Sequence, residues 1–325
     1  MGGNELFSPL GVGFCVFIIG ALAVDFGLLR KNGTHVVPVK EAARWTLVWI
    51  VLAIVFGVAI YRYSDFNATV TTEYFVGYLV EKSLSVDNIF VFTIIFAALK
   101  TPKKLQQLAL MWGILLALLL RGIMILVGAA LIERFEWIIW FFGGFLLLTG
   151  VQMLRGGGHS NESEPSAVKL ARRFIRVNND YNEERFWIFK SGRRVFTPIF
   201  LTIAVIGIID FVFAVDSIPA IFGITLDPFI VFTSNAFAIL GLRNLYFLLA
   251  DAKDRFHYLS AGLAFVLMWI GVKMILPAIN HDWKVPPLVS LVIVLTILTV
   301  SIVASLLRTK RVARKAPRPA RARKR

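Results

Sequence analysis

The sequence predicts an all-α polytopic membrane protein with about nine transmembrane helices, and three observations predict it. Of its 325 residues, 58% are hydrophobic and 17% charged, a more apolar balance than a soluble domain carries. Nine apolar runs are each long enough to cross the bilayer, whose hydrocarbon core takes about 20 helical residues. The basic residues, which give a net charge of +15, gather on alternate connections rather than on one face, as the positive-inside rule requires.

The expected spans are 6–29, 43–63, 70–98, 108–132, 136–154, 197–223, 228–250, 258–277 and 286–307. The first holds Asp25 and the chain's one cysteine, Cys15, so neither an intrachain disulfide nor a thiolate cluster is available. The segment before it has no basic n-region and the run has no cleavage pattern, which predicts a mature helix and not a signal peptide. With the N-terminus outside, the cytoplasmic connections hold Arg30, Lys31, Lys40 and Arg44, then Lys100, Lys103 and Lys104, then a basic stretch in 155–194, then Lys253 and Arg255. The opposite connections hold Arg62, Arg134 and Lys284.

Punctuation supports these boundaries. Thr197-Pro198 and Asp227-Pro228 read as an N-cap followed by proline at the first helical position. Pro277 should close the eighth helix, and Pro286 and Pro287 open the ninth. Trp45, Trp49, Tyr61, Tyr63, Trp137 and Trp140 stand near helix ends, where an interfacial belt places aromatic rings. The transmembrane domain is 1–307, with a cytoplasmic loop at 155–196. That loop contains HSNESE and NNDYNEE but lacks the ligand order of an EF-hand, and reads as solvated. The tail 308–325, RTKRVARKAPRPARARKR, is expected to be disordered and drawn to anionic lipid headgroups. Binding to nucleic acid is not expected, and self-association is left open.

The organising feature is a duplicated motif. VEKSLSVDNIFVF at 80–92 and IDFVFAVDSIPAI at 209–221 each place an acid, Glu81 or Asp210, six residues before an aspartate with a polar neighbour: Asp87-Asn88 and Asp216-Ser217. Each acid costs roughly 2.5–3.5 kcal/mol at mid-bilayer on insertion scales, so the four need partners or a purpose. Arg121 and Arg243 follow the two motifs at corresponding places. The repeats, about 70–154 and 197–277, hold three helices each, which inverts their topology, an arrangement found in transporters. Glu81 then lies about 17 Å from the outer end of its helix and Asp210 about 20 Å from the inner end of its own.

At 100° per residue, Glu81, Ser85 and Asn88 share one face, as do Asp210, Ala214 and Ser217, while Asp87 and Asp216 point elsewhere. Either the second acid meets a different neighbour or the helix breaks. Pro219, which leaves the carbonyl of Val215 without its amide donor, favours a break. Carboxylates, Asn88, Ser217 and a bare carbonyl make an all-oxygen site, suited to Mn²⁺, Mg²⁺ or Ca²⁺ and not to Cu⁺ or Zn²⁺. The four acids against Arg121 and Arg243 leave a formal charge of −2, one divalent cation's worth. In a purely structural reading the acids and arginines only fix helix packing, which leaves the duplicated spacing unexplained. Lys82 and Lys273 are expected to snorkel, and the Thr233-Ser234-Asn235 patch suits either helix–helix hydrogen bonding or ion ligation.

EKSLSVDNIFVF, FAVDSIPAIFGIT and DPFIVFTSNAFAILGLRNLYFLL resemble the TerC integral membrane family, and the resemblance extends from AVDF around Asp25 to GVKMIL around Lys273. It implies a bacterial-type inner-membrane protein, with some members linked to Mn²⁺ efflux and others named for tellurite resistance. The expected function is therefore Mn²⁺ export by a secondary transporter, with Glu81, Asp87, Asn88, Asp210, Asp216 and Ser217 at the metal and Arg121, Arg243, Asp25 and Pro219 in support. No permanently bound cofactor and no enzymatic activity are expected, and no phosphate-binding loop is visible. The alternatives are a membrane scaffold in metal or tellurite stress and an exporter of small organic cations.

Overall fold

A computed structural model describes residues 9–32, 36–63, 67–135, 137–155, 168, 171, 173, 185–190, 193–249, 258–280, 283 and 285–315, and their side chains except at 25, 26, 28–32, 87, 90, 190, 193, 216 and 310–315. The elements are α1 (Pro9–Asn32), α2 (Val39–Tyr63), α3 (Ala68–Ala98), α4 (Lys103–Arg134), α5 (Ile138–Leu154), β1 (Trp187–Lys190), β2 (Arg193–Phe196), α6 (Pro198–Phe222), α7 (Pro228–Leu240), α8 (Leu242–Leu249), α9 (Leu259–Ile279) and α10 (Pro287–Lys315). Among the described residues, α2, α4, α6, α9 and α10 are each long and apolar enough to cross a membrane, and α7 with α8, bent by 41°, makes a sixth if the pair is one span. Helices also stand at the remaining apolar runs. α5 has only 17 residues, and α3, with 31, carries Glu73, Glu81, Lys82 and Asp87.

Local chemistry sets the helix ends. Asn67 Oδ1 accepts from the amides of Thr69 and Val70 at the start of α3, and Asp227 Oδ1 accepts from Phe229 and Ile230 at the start of α7, each satisfying amides that a first turn leaves bare. α3 ends with Lys100 at φ 52°, while Thr101 N–H donates to Phe96 C=O and Lys100 N–H to Ala97 C=O, a Schellman closure made without glycine.

Four expectations are corrected. Thr197 does not cap α6 with its side chain; its hydroxyl donates to Arg185 C=O at 2.7 Å, tying α6 to the preceding segment. α6 runs unbroken through Pro219, and α9 through Pro277 to Ile279; each proline forfeits the bond to the carbonyl four residues back, and each helix ends within a turn of it. The break lies instead at Gly241, between α7 and α8. Within the expected loop, β1 and β2 form an antiparallel hairpin pairing Trp187 with Phe196. The acidic clusters of that loop lie outside the described residues, as does 316–325 of the tail.

The helices pack in layers. At the hairpin end, the ends of α3 and α8 and the starts of α4 and α6 share a core that includes Ile89, Phe92, Leu110, Ile206 and Leu242. At the other end, Ile125, Ala214, Ile218 and Phe222 share another. Large apolar side chains such as Val51, Val55, Ile123, Val127 and Leu148 point outward, a surface suited to lipid. Tyr61, Tyr63, Trp137 and Trp140 are exposed as an aromatic belt requires, but Trp49 is buried in the core of α2, α3 and α7.

Candidate functional site

α4 is apolar almost throughout, so packing rather than hydropathy decides which face it buries. Ile114, Ala117, Leu118, Arg121, Ile125 and Gly128 fall on the inner face at helical spacing, and Leu119, Ile123, Leu126 and Val127 on the outer one. Arg121 thus enters the interior, 1% exposed, where the hairpin-end core gives way to the opposite one. At 1.5 Å per residue, Glu81 and Arg121 both stand about 20 Å from the shared α3-start, α4-end side of the bundle, and Asp210 about 18 Å from either end of α6.

Helices α3, α6 and α7 converge on the guanidinium. Its Nε and Nη2 donate to Asp210 Oδ2 and Oδ1 at 3.3 and 3.2 Å, the two-pronged fit of a planar fork to a carboxylate. Its Nη1 donates to Glu81 Oε1, to Asn235 Oδ1 at 2.6 Å and to Ser217 Oγ at 3.2 Å. Glu81, Asp210, Ser217 and Asn235 are each exposed by 2% or less. Two carboxylates face one guanidinium, so the cluster is formally −1. Among the described side chains, Glu81 Oε2 and Asn235 Nδ2 have no hydrogen-bond partner. A buried, incompletely neutralised carboxylate pair attracts a further positive charge, proton or cation.

The predicted face-sharing holds: Glu81, Ser85 and Asn88 are all buried on α3, and Asp210, Ala214 and Ser217 on α6. Of the predicted ligands, the structure brings Glu81, Asp210 and Ser217 together around Arg121; Asn88 lies two turns along α3 from Glu81, and Pro219 just beyond Ser217. Arg243 is buried on α8, immediately past the break. The side chains of Asp25, Asp87 and Asp216 lie outside the described residues. Among the described residues, no three His, Cys, Asp or Glu side chains are grouped to hold a metal. Glu81 and Asp210 face Arg121. Asp210 also borders a small pocket between α3, α4, α6 and α8, beside Gly113, Ala117 and Phe92, with room for about one water.

The sequence reading did not assign Asn235 to the site. Thr233 and Ser234 hydroxyls donate to carbonyls of their own helix, so Asn235, alone of that patch, reaches across. Nor do the lysines snorkel. Lys82 Nζ donates to Ala238 C=O at 3.2 Å, one turn before the break, and Lys273 Nζ to Ile224 C=O at 3.5 Å, just past α6. Both sit where helix C-termini expose carbonyls and favour positive charge.

Glycine sets the spacing of the site's walls. A Cβ at Gly77, one turn before Glu81, would lie 2.9 Å from Ser234 Oγ and 3.3 Å from Ser234 Cβ, so α3 and α7 touch beside Asn235. Gly77→Ala is expected to cost about 1–3 kcal/mol through overpacking, and Ser234→Gly in the same chain to return part of it. Unfolding midpoints of the two single variants and the double in detergent measure the coupling; strict additivity would contradict the contact.

A family profile described as "Integral membrane protein TerC family" matches residues 66–313. The "Uncharacterized membrane protein STKORF319" of Myxococcus xanthus is 46% identical over 305 residues, covering 93% of this chain and 94% of the relative. The "Putative membrane-bound redox modulator Alx" of Escherichia coli K12 is 42% identical over 310 residues, 92% and 95% of the two chains. An "Uncharacterized membrane protein" of Rickettsia felis is 38% identical over 296 residues, 91% and 96%. No solved structure matches the chain.

Proposed function

This chain belongs to the integral membrane protein TerC family, and on that premise we propose that it is a secondary transporter exporting a divalent metal, Mn²⁺ foremost, across the cytoplasmic membrane through a mid-membrane carboxylate site. The buried Glu81–Arg121–Asp210 cluster carries this reading. It places net negative charge, and an oxygen unpaired among the described side chains, at the middle of the helices, where an ionisable group without a function is a liability. Oxygen donors of this kind suit hard cations. Asp87 and Asp216 lie six residues, about 9 Å, further along α3 and α6, and extend the acids toward opposite faces.

The packing supports an inverted repeat. Exchanging α3 with α6, α4 with α7 and α8, and α5 with α9 carries the α4–α6 packing into α3–α7 and α5–α6 into α3–α9, and maps the α3–α6 and α5–α9 contacts onto themselves. Even the close approaches correspond: Gly113 against Ile206 on one side, Gly77 against Ser234 on the other. With the N-terminus outside and the C-terminus cytoplasmic, the pocket beside Asp210 lies on the cytoplasmic half, the side from which an exporter loads.

Efflux of Mn²⁺ from preloaded cells tests the reading, with wild type compared with Asp210→Asn, Asp87→Asn and Asp216→Asn at matched abundance. Each variant is expected to fall to the level of cells lacking the protein. A wild type that exports no Mn²⁺, or variants that equal it, would overturn the metal route. A second reading rests on the group that the acids hold: a guanidinium in a two-pronged fit is the chemistry by which an organic cation such as a basic amino acid would bind. Transport would then compete with arginine or lysine and ignore Mn²⁺. A redox role of the kind named for the Escherichia coli relative would not use an intrachain dithiol, since Cys15 is the one cysteine.

A further inference from the structure

Resting on the transport reading, and going beyond it, we propose that Arg121 is a built-in counter-cation. Its guanidinium occupies the Glu81 and Asp210 carboxylates when cargo is absent, gives them up as a divalent cation loads, and returns to them as the cargo leaves, so that the empty protein completes its cycle without two bare carboxylates.

Two carboxylates at mid-bilayer cannot be left bare, so whatever releases the cargo must refill the site. Arg121 is placed to do so, with three of its donors on the two acids. An arginine keeps its charge at any accessible pH; its response to an incoming cation must therefore be to move, not to lose a proton. It has somewhere to hold on. Asn235 Oδ1 and Ser217 Oγ already accept from Nη1, and both are neutral, so they retain the guanidinium when the carboxylates turn to cargo. Glu81 Oε2, without a hydrogen-bond partner among the described side chains, gives the arriving cation a first oxygen before Arg121 leaves. With Arg121 engaged the cluster is formally −1; with it withdrawn the acids present −2, the complement of a dication. Lys82 and Lys273 cannot substitute, since each is engaged at a helix C-terminus.

The test uses the full chain in liposomes and two readouts: net Mn²⁺ efflux, which requires the empty carrier to return, and Mn²⁺/Mn²⁺ exchange, which does not. Arg121→Gln is expected to keep exchange and to lose net efflux by about tenfold or more, since a decade of rate needs only about 1.4 kcal/mol of barrier. Arg121→Lys, which preserves the charge, is expected to retain net efflux. Net efflux by Arg121→Gln equal to wild type overturns the proposal while leaving the transport reading intact. So does loss of both readouts in Arg121→Gln, which would make Arg121 a packing element, and so does Arg121→Lys behaving like Arg121→Gln. If wild type shows neither readout, the transport reading itself falls. Should Arg121→Gln not assemble, Asn235→Ala serves: losing the neutral anchor should raise the Mn²⁺ concentration for half-maximal efflux, and an unchanged value overturns the proposal.

Discussion

Arg121→Leu is expected to lower stability by about 3–5 kcal/mol, the cost of removing one partner from a buried ionic cluster. The change leaves Glu81 and Asp210 buried, facing each other's charge and without the guanidinium that supplies their hydrogen bonds. Replacing the whole cluster, as Arg121→Leu with Glu81→Gln and Asp210→Asn, is expected to cost much less, because no uncompensated charge then remains and the amides can bond to Ser217 and Asn235. Thermal or denaturant unfolding in detergent, without added metal, ranks the single and triple variants. A single variant as stable as wild type would mean that the carboxylates find another partner. Added Mn²⁺ should narrow the gap for the single variant and not for the triple, because only the single retains the acids that bind a cation.

This cluster was half legible in the sequence. The duplicated acid and the neighbouring amide or hydroxyl stand out against apolar runs, and helical rotation alone put Glu81 with Ser85 and Asn88 and Asp210 with Ser217. Which arginine joins them was not legible. Arg121 and Arg243 sit in similar strings, and nothing in the uniformly apolar α4 marks its inner face; only packing against α3 and α6 does. The patch around Asn235 was visible as a candidate for helix–helix hydrogen bonding, which Asn235 makes with Arg121; that Thr233 and Ser234 bond within their own helix and leave the crossing to Asn235 was not legible. The break was misplaced for a definable reason. Pro219 attracts attention, yet it removes a single amide bond and α6 carries on to Phe222, whereas Gly241 sits where Trp49 and Lys82 crowd the backbone: a Cβ there would lie 2.6 Å from Lys82 Nζ and 3.3 Å from Trp49 Cβ. The hairpin did leave a signal in the sequence, the runs Trp-Ile-Phe-Lys and Arg-Arg-Val-Phe separated by Ser-Gly, which the surrounding charge obscured.

Gly143→Val is expected to disrupt the bundle while Gly144→Val, one residue on, leaves it intact. α5 and α9 meet backbone to backbone. A Cβ on Gly143 would lie 2.5 Å from Ile275 Cγ1 and 3.2 Å from Gly271 C=O, and one on Gly271 would lie 2.8 Å from Gly143 C=O. Side chains at the far end of a flexible stem can give way, but a carbonyl fixed in a helix cannot, so the two helices must separate. In lipid no hydrophobic gain drives helices together; close packing of small residues does. Overpacking a well-filled core costs typically 1–3 kcal/mol, and the two added methyls of valine against an opposing backbone should reach or exceed the upper end. Gly144 has nothing within 4 Å of its Cβ position, so its valine meets open surface, where substitutions stay within about 0.5 kcal/mol. Size-exclusion profile and unfolding midpoint in detergent compare the pair. Equal behaviour would show that α5 and α9 do not touch at Gly143 and Gly271. A selective loss at Gly143 would instead locate the seam at which the last helices of the two halves hold each other, and with it the fixed element against which α3, α4 and α6 would have to move for Arg121 to exchange places with a cation.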